Sequence, residues 1–164
     1  VGRIEPRKGQ LALIDACENL GVNLTFIGAI NKNQKKYVQK FMSKVNNKNI
    51  KYIPQIGHDE LKNFYRTNRM HVSTSWFEVV SQVDLEAYSQ GCKIIPTRYG
   101  YAREYFFEKI EEYDPLVDYI DINKLSKKIH DEYEKSFLAN IRPEMLTSWD
   151  DSVNILFKSY SIIC

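Results

Sequence analysis

The order of apolar runs along this chain leaves few folds open to it. Short continuous apolar stretches alternate with segments whose apolar residues recur every three or four positions. Leu11, Ile14, Ala16, Cys17 and Leu20 predict a helix stopped by Gly21, and Leu24–Ile27 predicts a strand ending at Gly28. Tyr37, Val38, Phe41, Met42 and Val45 have helical spacing, and Ile50–Ile53 reads as a strand ended by Pro54. Leu61, Phe64 and Tyr65 mark a helix starting near His58 and Asp59, followed by a brief strand at Met70–Val72. Val83–Tyr88 is helical with Gly91 placed just past its end, and Lys93–Pro96 is a buried strand. Val117–Ile120 is a further candidate strand, Ile122–Phe137 a long amphipathic helix and Ser148–Tyr160 the last helix. Such alternation implies right-handed βαβ units: an α/β fold with a Rossmann-like parallel sheet and helices on both faces. No repeat, low-complexity run or linker divides the chain, so residues 1–164 read as a single domain. In sheets of this kind ligands collect beyond the carboxyl ends of the strands, in the loops that lead into helices.

Composition narrows the partners. A hydrophobic fraction of 43% and a charged fraction of 27% are those of an ordinary globular protein. The net charge is +2, from 23 basic and 21 acidic residues, which is no electrostatic footprint for nucleic acid. Basic residues cluster at Lys32, Lys35, Lys36, Lys40, Lys44 and Lys48, read as the solvated face of an amphipathic helix, with a peripheral membrane contact or a partner-docking patch as the alternative. No apolar run approaches the roughly 20 residues that span a bilayer. Cys17, Cys92 and Cys164 form no paired motif, and the first two sit in apolar patterns, so a reducing, cytoplasmic setting is expected. The chain opens on Val1 without Met, which reads as a piece of a longer protein.

Three strand-end segments carry groups suited to chemistry. In Val1–Gly9 a strand end is followed by a turn holding Arg3 and Lys8, with Gly2 and Gly9 lacking side chains where a ligand's phosphates would approach. Arginine offers a planar fork to phosphate oxygens and lysine a point charge. In Ser73–Ala87, Ser81 and Asp84 resemble a capping box, so a helix begins there, with free amides near Ser81 and Gln82 forming an anion site. Glu78 lies in the loop before that helix and Glu86 within it. Two carboxylates around one helix start suit recognition of vicinal hydroxyls, one on a sugar and one on a ribose. In Ile94–Glu104 a buried strand leads into a loop containing Gly100. Each segment alone also reads as ordinary structure: a charged surface loop, a solvated Glu78 beside a Glu86 held in a helix ion pair, a simple turn.

Together, in this order, the segments resemble the C-terminal half of the GT-B fold, and more narrowly the retaining glycosyltransferases of family 4, the group 1 glycosyl transferases. Gly2, Arg3, Lys8 and Gly9 match the family's opening motif. Glu78, Glu86 and Ala87 match its two glutamates separated by seven residues and followed by alanine. Glu60, Leu61 and Tyr65 match a preceding helix, while Gly91, Ile94, Ile95, Gly100 and Glu104 fit a later glycine pattern in which Lys93 replaces a proline. Ser148, Trp149 and Asp150 resemble the start of the last helix. Two departures stand out. Val79-Val80-Ser81-Gln82 replaces a glycine-rich run, and Gly28-Ala29-Ile30-Asn31 stands where two glycines are usual.

The resemblance implies a domain that binds a nucleoside-diphosphate sugar, with Arg3 and Lys8 on the diphosphate, aided by the amides near Ser81 and Gln82 and by close backbone approach at Gly2 and Gly28. It places Glu78, the expected catalytic residue, on the donor sugar and Glu86 on the ribose. It further implies retaining transfer of a hexose to an acceptor held by an N-terminal domain outside this chain, with helix 148–160 packing toward that domain. No metal or other cofactor is expected, since cationic side chains and a helix start serve the leaving diphosphate. The histidines His58, His71 and His130 are isolated in the sequence. The isolated chain is expected to be inactive. The alternatives are a non-catalytic partner subunit of the same fold, favoured by the altered Val79–Gln82 loop, and another GT-B enzyme such as a nucleotide-sugar epimerase.

Overall fold

The computed structural model describes residues 1–46, 48–79, 81–100 and 120–135. A 3-10 turn at Pro6–Lys8 leads into α1 (Gln10–Cys17), followed by β1 (Leu24–Ile27), α2 (Lys35–Lys44), β2 (Ile50–Ile53), α3 (His58–Thr67), β3 (Met70–Val72), α4 (Gln82–Ser89), β4 (Lys93–Ile95) and α5 (Ile122–Glu134). The alternation of helix and strand is the one the apolar pattern predicts. Leu20 lies beyond α1, in the turn that bonds back to Cys17 before Gly21, and α5 ends at Glu134, where Lys135 turns extended. The expected helix 148–160 and nearly all of the expected strand 117–120 fall outside the described residues.

All strand pairing is parallel, but it comes in two pairs. β1 lies beside β2 with Leu24 opposite Ile50, and β3 beside β4 with Met70 opposite Lys93. The opening segment runs along the other edge of β1, where the Gly2 amide donates to the Ile27 carbonyl at 2.9 Å and the Ile4 amide to Ala29 at 2.8 Å. The chain is thus an α/β domain whose described ladders do not join into one sheet.

The helices gather two apolar clusters. Ile4, Leu13, Ile14, Phe26, Phe41, Leu125 and Ile129 form one, under α1, α2 and α5. Phe41 is fully buried, its ring edge-on to Phe26 at 5.2 Å and to Tyr52 at 5.8 Å, the arrangement that aromatic quadrupoles favour. Tyr65, Ala87, Tyr88, Cys92 and Ile94 form the second, around α3, α4 and β4. A buried Glu132 ties α5 to β4, with Lys93 Nζ at 2.9 Å and Lys135 Nζ at 2.8 Å from its carboxylate. The lysines of α2 and its flanks are mostly exposed, as a solvated helix face requires.

Candidate functional site

The loops after the opening segment, β3 and β4 converge at one end of the strands. Beyond β3 the chain stays extended, so Ser73 donates to the Ile95 carbonyl at 2.9 Å and Glu78 donates to Tyr99 at 3.0 Å. Thr97 Oγ1 donates to the Ser75 carbonyl at 2.8 Å. Glu78 and Gly100 form a parallel bridge, and the approach requires glycine: a β-carbon on Gly100, whose φ is +142°, would stand 1.8 Å from the Glu78 carbonyl oxygen. Thr74 Oγ1 then ties this strand end to the opening turn by donating to the carbonyl of Lys8 at 3.1 Å, and the Trp76 amide donates to Arg7 at 2.8 Å. Residues about seventy positions apart are thereby held in register.

This framing brings Lys8 directly onto Glu78. The Lys8 ammonium donates to Glu78 Oε1, and Arg7 Nη1 stands 3.4 Å from the same oxygen and 3.4 Å from the Phe77 carbonyl. Arg7 also reaches Glu5 at 3.5 Å, and Glu5 accepts from Asn31 Nδ2 at 2.8 Å. Burial alone would raise the Glu78 pKa. Hydrogen bonds from Lys8 and Ser75, with the charges of Lys8 and Arg7, outweigh it and hold the carboxyl below its ordinary range. Glu78 is therefore an anion at neutral pH with two cations at hand. Sequence reasoning assigned Arg7 no role; its position beside Lys8 in the same turn was the available signal.

The other predicted residues are placed as follows. Arg3 is exposed, and its carbonyl accepts from Gln10 Nε2 at 2.8 Å. Gly2 and Gly28 meet backbone to backbone: a β-carbon on Gly28, at φ +147°, would stand 2.3 Å from the Gly2 carbonyl oxygen. The missing side chain of Gly28 lets the two segments close on each other, while a β-carbon on Gly2 would lie 3.7 Å from the Lys8 side chain. Ser81 is buried and caps α4, its Oγ accepting from the Asp84 amide at 3.3 Å, with Gln82 exposed at the first turn. The expected capping box forms on that side. Asp84 instead turns its carboxylate inward, where His71 Nε2 lies 2.9 Å away and both residues are buried. Burial lowers the His71 pKa against the pull of Asp84. Glu86 is half-buried, one turn further along α4, with His58 Nε2 at 3.8 Å as its ion-pair contact. It lines a small hollow of about 90 Å³ with His58, Leu61 and Tyr65.

The two carboxylates thus meet different surroundings: Glu78 lies among cations, Glu86 beside a histidine at the α3–α4 seam. Val79 is exposed, as are Trp76 and Phe77 before it. Among the described residues no three His, Cys, Asp or Glu side chains converge as metal ligands. No helix of the described residues is long and apolar enough to cross a membrane.

Residues 1–136 match the family described as glycosyl transferases group 1. No curated protein sequence matches the chain. Several solved structures share its fold at low identity. The sucrose-phosphate synthase of Thermosynechococcus elongatus is 20% identical with a TM-score of 0.80, covering 100% of this chain and 45% of that one. HepE of Anabaena, solved in complex with UDP and glucose, is 19% identical with a TM-score of 0.70, over 82% of this chain and 38% of that one. An α,α-trehalose-phosphate synthase of Burkholderia xenovorans, solved with glucose-6-phosphate, is 14% identical with a TM-score of 0.71, over 83% and 35%. The chain spans less than half the length of each of these structures.

Proposed function

The chain belongs to the glycosyl transferases group 1 family, and from that membership we propose that it is the donor-binding half of a retaining glycosyltransferase that uses a nucleoside-diphosphate sugar. The observation that carries the reading is the Lys8–Glu78 pair with Arg7 beside it, set at the strand ends where such folds take ligands. The HepE neighbour, solved with UDP and glucose, supports a donor of this class.

A lysine ammonium has three donors, and Glu78 uses one of them here. The remaining two serve the diphosphate, so Lys8 bridges the sugar-side carboxylate and the leaving group. Arg3 adds a fork from the solvent side, and the free amides at the start of α4, near Ser81 and Gln82, add a third source of positive potential. When the bond from the anomeric carbon to the diphosphate oxygen breaks, the oxygen keeps the electron pair and its new charge falls on these groups. Glu78 accepts from hydroxyls of the hexose and Glu86 from those of the ribose. The acceptor approaches from the other domain of the full-length protein, so the isolated chain binds donor without transferring the sugar. No metal is needed for this scheme.

Calorimetric titration with uridine, guanosine and adenosine diphosphates, alone and carrying glucose, tests the reading. It expects one nucleotide to bind and the Lys8→Ala chain to bind it far more weakly. Binding of none of them, or sugar transfer by the isolated chain, would overturn it.

A further inference from the structure

Charge is spread unevenly along this chain. Residues 19–58 contain seven lysines, no arginine and no acidic residue, while the other positions share 16 basic and 21 acidic residues. One stretch thus carries +7 and the remainder −5, which together give the net +2. The fold gathers that charge on α2 and its flanks. Lys35, Lys36 and Lys40 are exposed on α2, Lys32 before it, Lys48 after it and Lys51 on β2. Lys44 is half-buried and pairs with Asp15 of α1 at 2.7 Å, but among the described residues the six exposed lysines form no ion pair. At 3.6 residues per turn, Lys35, Lys36 and Lys40 share an arc of about 140°. Gln39 and Ser43 fall inside that arc, and Met42, 41% exposed, borders it beside Lys35. Phe41, Tyr37 and Val38 hold the opposite side of α2 on the core, so the basic face is fixed outward.

We propose that this face is a docking surface for a membrane carrying anionic lipid headgroups, with α2 lying along the headgroup plane. A lysine ammonium is a compact, hydrated charge on a flexible stem, which suits a diffuse anionic surface. Recognition of nucleic acid favours the arginine fork and exposed rings on which bases stack. Residues 19–58 hold no arginine, and Tyr37 and Tyr52 are half-buried, their hydroxyls bonded to Gln10 and to the Gly28 carbonyl. A protein partner requires a desolvated apolar centre, and the face offers only Met42. A lipid surface requires clustered charge and a shallow apolar contact, which the six lysines and Met42 supply. The face begins at the site end of the strands, since Lys32 follows Asn31, whose side chain bonds Glu5 of the opening turn. None of these lysines belongs to the candidate donor site, so the proposal stands apart from the donor-binding reading.

Vesicle flotation tests this. The chain should float with vesicles of phosphatidylcholine and about one-third phosphatidylglycerol at about 0.1 M salt, and be released at about 1 M, where screening is short-ranged. Vesicles of phosphatidylcholine alone should leave it unbound. Replacing Lys35, Lys36 and Lys40 together by Gln should weaken binding to the anionic vesicles by about tenfold or more. Replacing Arg66, Lys124 and Lys127 together by Gln removes the same charge from exposed positions outside the face, and should change binding by less than about twofold. Met42→Ser, which leaves the charge intact, should weaken binding by a few-fold. Thermal unfolding of each variant separates lost docking from a lost fold. No binding of the parent chain to the anionic vesicles, equal losses in the two triple variants, or tighter binding to duplex DNA than to the vesicles in the same buffer would overturn the proposal.

Discussion

Seven residues separate Glu78 from Glu86 around the start of one helix, yet the fold commits them to different degrees. Glu78 sits on a strand end pinned by Thr97, Thr74 and Gly100, with Lys8 and Arg7 on its carboxylate. Glu86 lies half-buried on α4 with a histidine 3.8 Å away. The first is positioned before any ligand arrives, and a donor must share its lysine. The second is carried by the helix with a histidine contact at 3.8 Å, so its carboxylate is less committed. Sharing a cation costs binding to the nucleotide, while an uncommitted acceptor costs little to engage.

The largest effect is expected from Lys8→Ala. It removes a phosphate donor and also leaves the Glu78 charge facing the incoming anion, so nucleoside diphosphate binding should weaken by about 3 kcal/mol. Arg3 is exposed and pairs with no carboxylate among the described residues, so Arg3→Ala should cost nearer about 1.5 kcal/mol. Calorimetry on both variants breaks the comparison if the two losses are equal.

Gly100→Ala acts on the Glu78 side alone. The added β-carbon collides with the Glu78 carbonyl at a φ that side chains rarely adopt. A stability loss of about 2 kcal/mol by thermal unfolding is expected, with a shifted carboxyl signal for Glu78 and an unchanged one for Glu86. An unaltered unfolding temperature would mean that the strand-end register does not hold this carboxylate.

A smaller effect concerns acid. The folded-state pKa of Glu78 is depressed, so its ion pair contributes stability that is fully present above the ordinary carboxyl value of 4.5 and is lost as pH falls through the lower folded value. Glu78→Gln should flatten that part of the stability–pH curve. An acid limb of the same steepness in the variant would show that the pair adds nothing to folding.

The fold was legible where neighbours in sequence decide the structure. Ile50–Ile53 and Met70–Val72 are strands with the expected bounds, and Ser81 caps α4 as its spacing to Asp84 predicts. The site was legible as a set of residue types at strand ends. What escaped were contacts between distant segments. The pairing of Lys8 with Glu78 spans seventy residues and depends on Gly100 and Thr74 closing the strand ends. Asp84 was read as half of a local cap, but the buried imidazole of His71 on β3 draws it inward. The close approach of Gly28 to the Gly2 backbone likewise joins segments that are distant in sequence. The described ladders form two pairs with a cavity of about 360 Å³ lined by residues of β1 and β3, which no periodicity reports.

The most direct test of the division of labour is one set of titrations with the nucleoside diphosphate, its 2′-deoxy analogue and the intact sugar donor against Glu78→Ala and Glu86→Ala. Glu86→Ala should weaken the ribose nucleotide by about 1–2 kcal/mol and the intact donor with it, and should add little to the loss already caused by the deoxy sugar, since both remove one contact. Glu78→Ala should spare or tighten the nucleoside diphosphate, because Lys8 is released to it, and weaken the sugar-bearing donor. Equal, small changes across every ligand in both variants would contradict the account and leave the chain with the fold of a donor-binding domain but not its site.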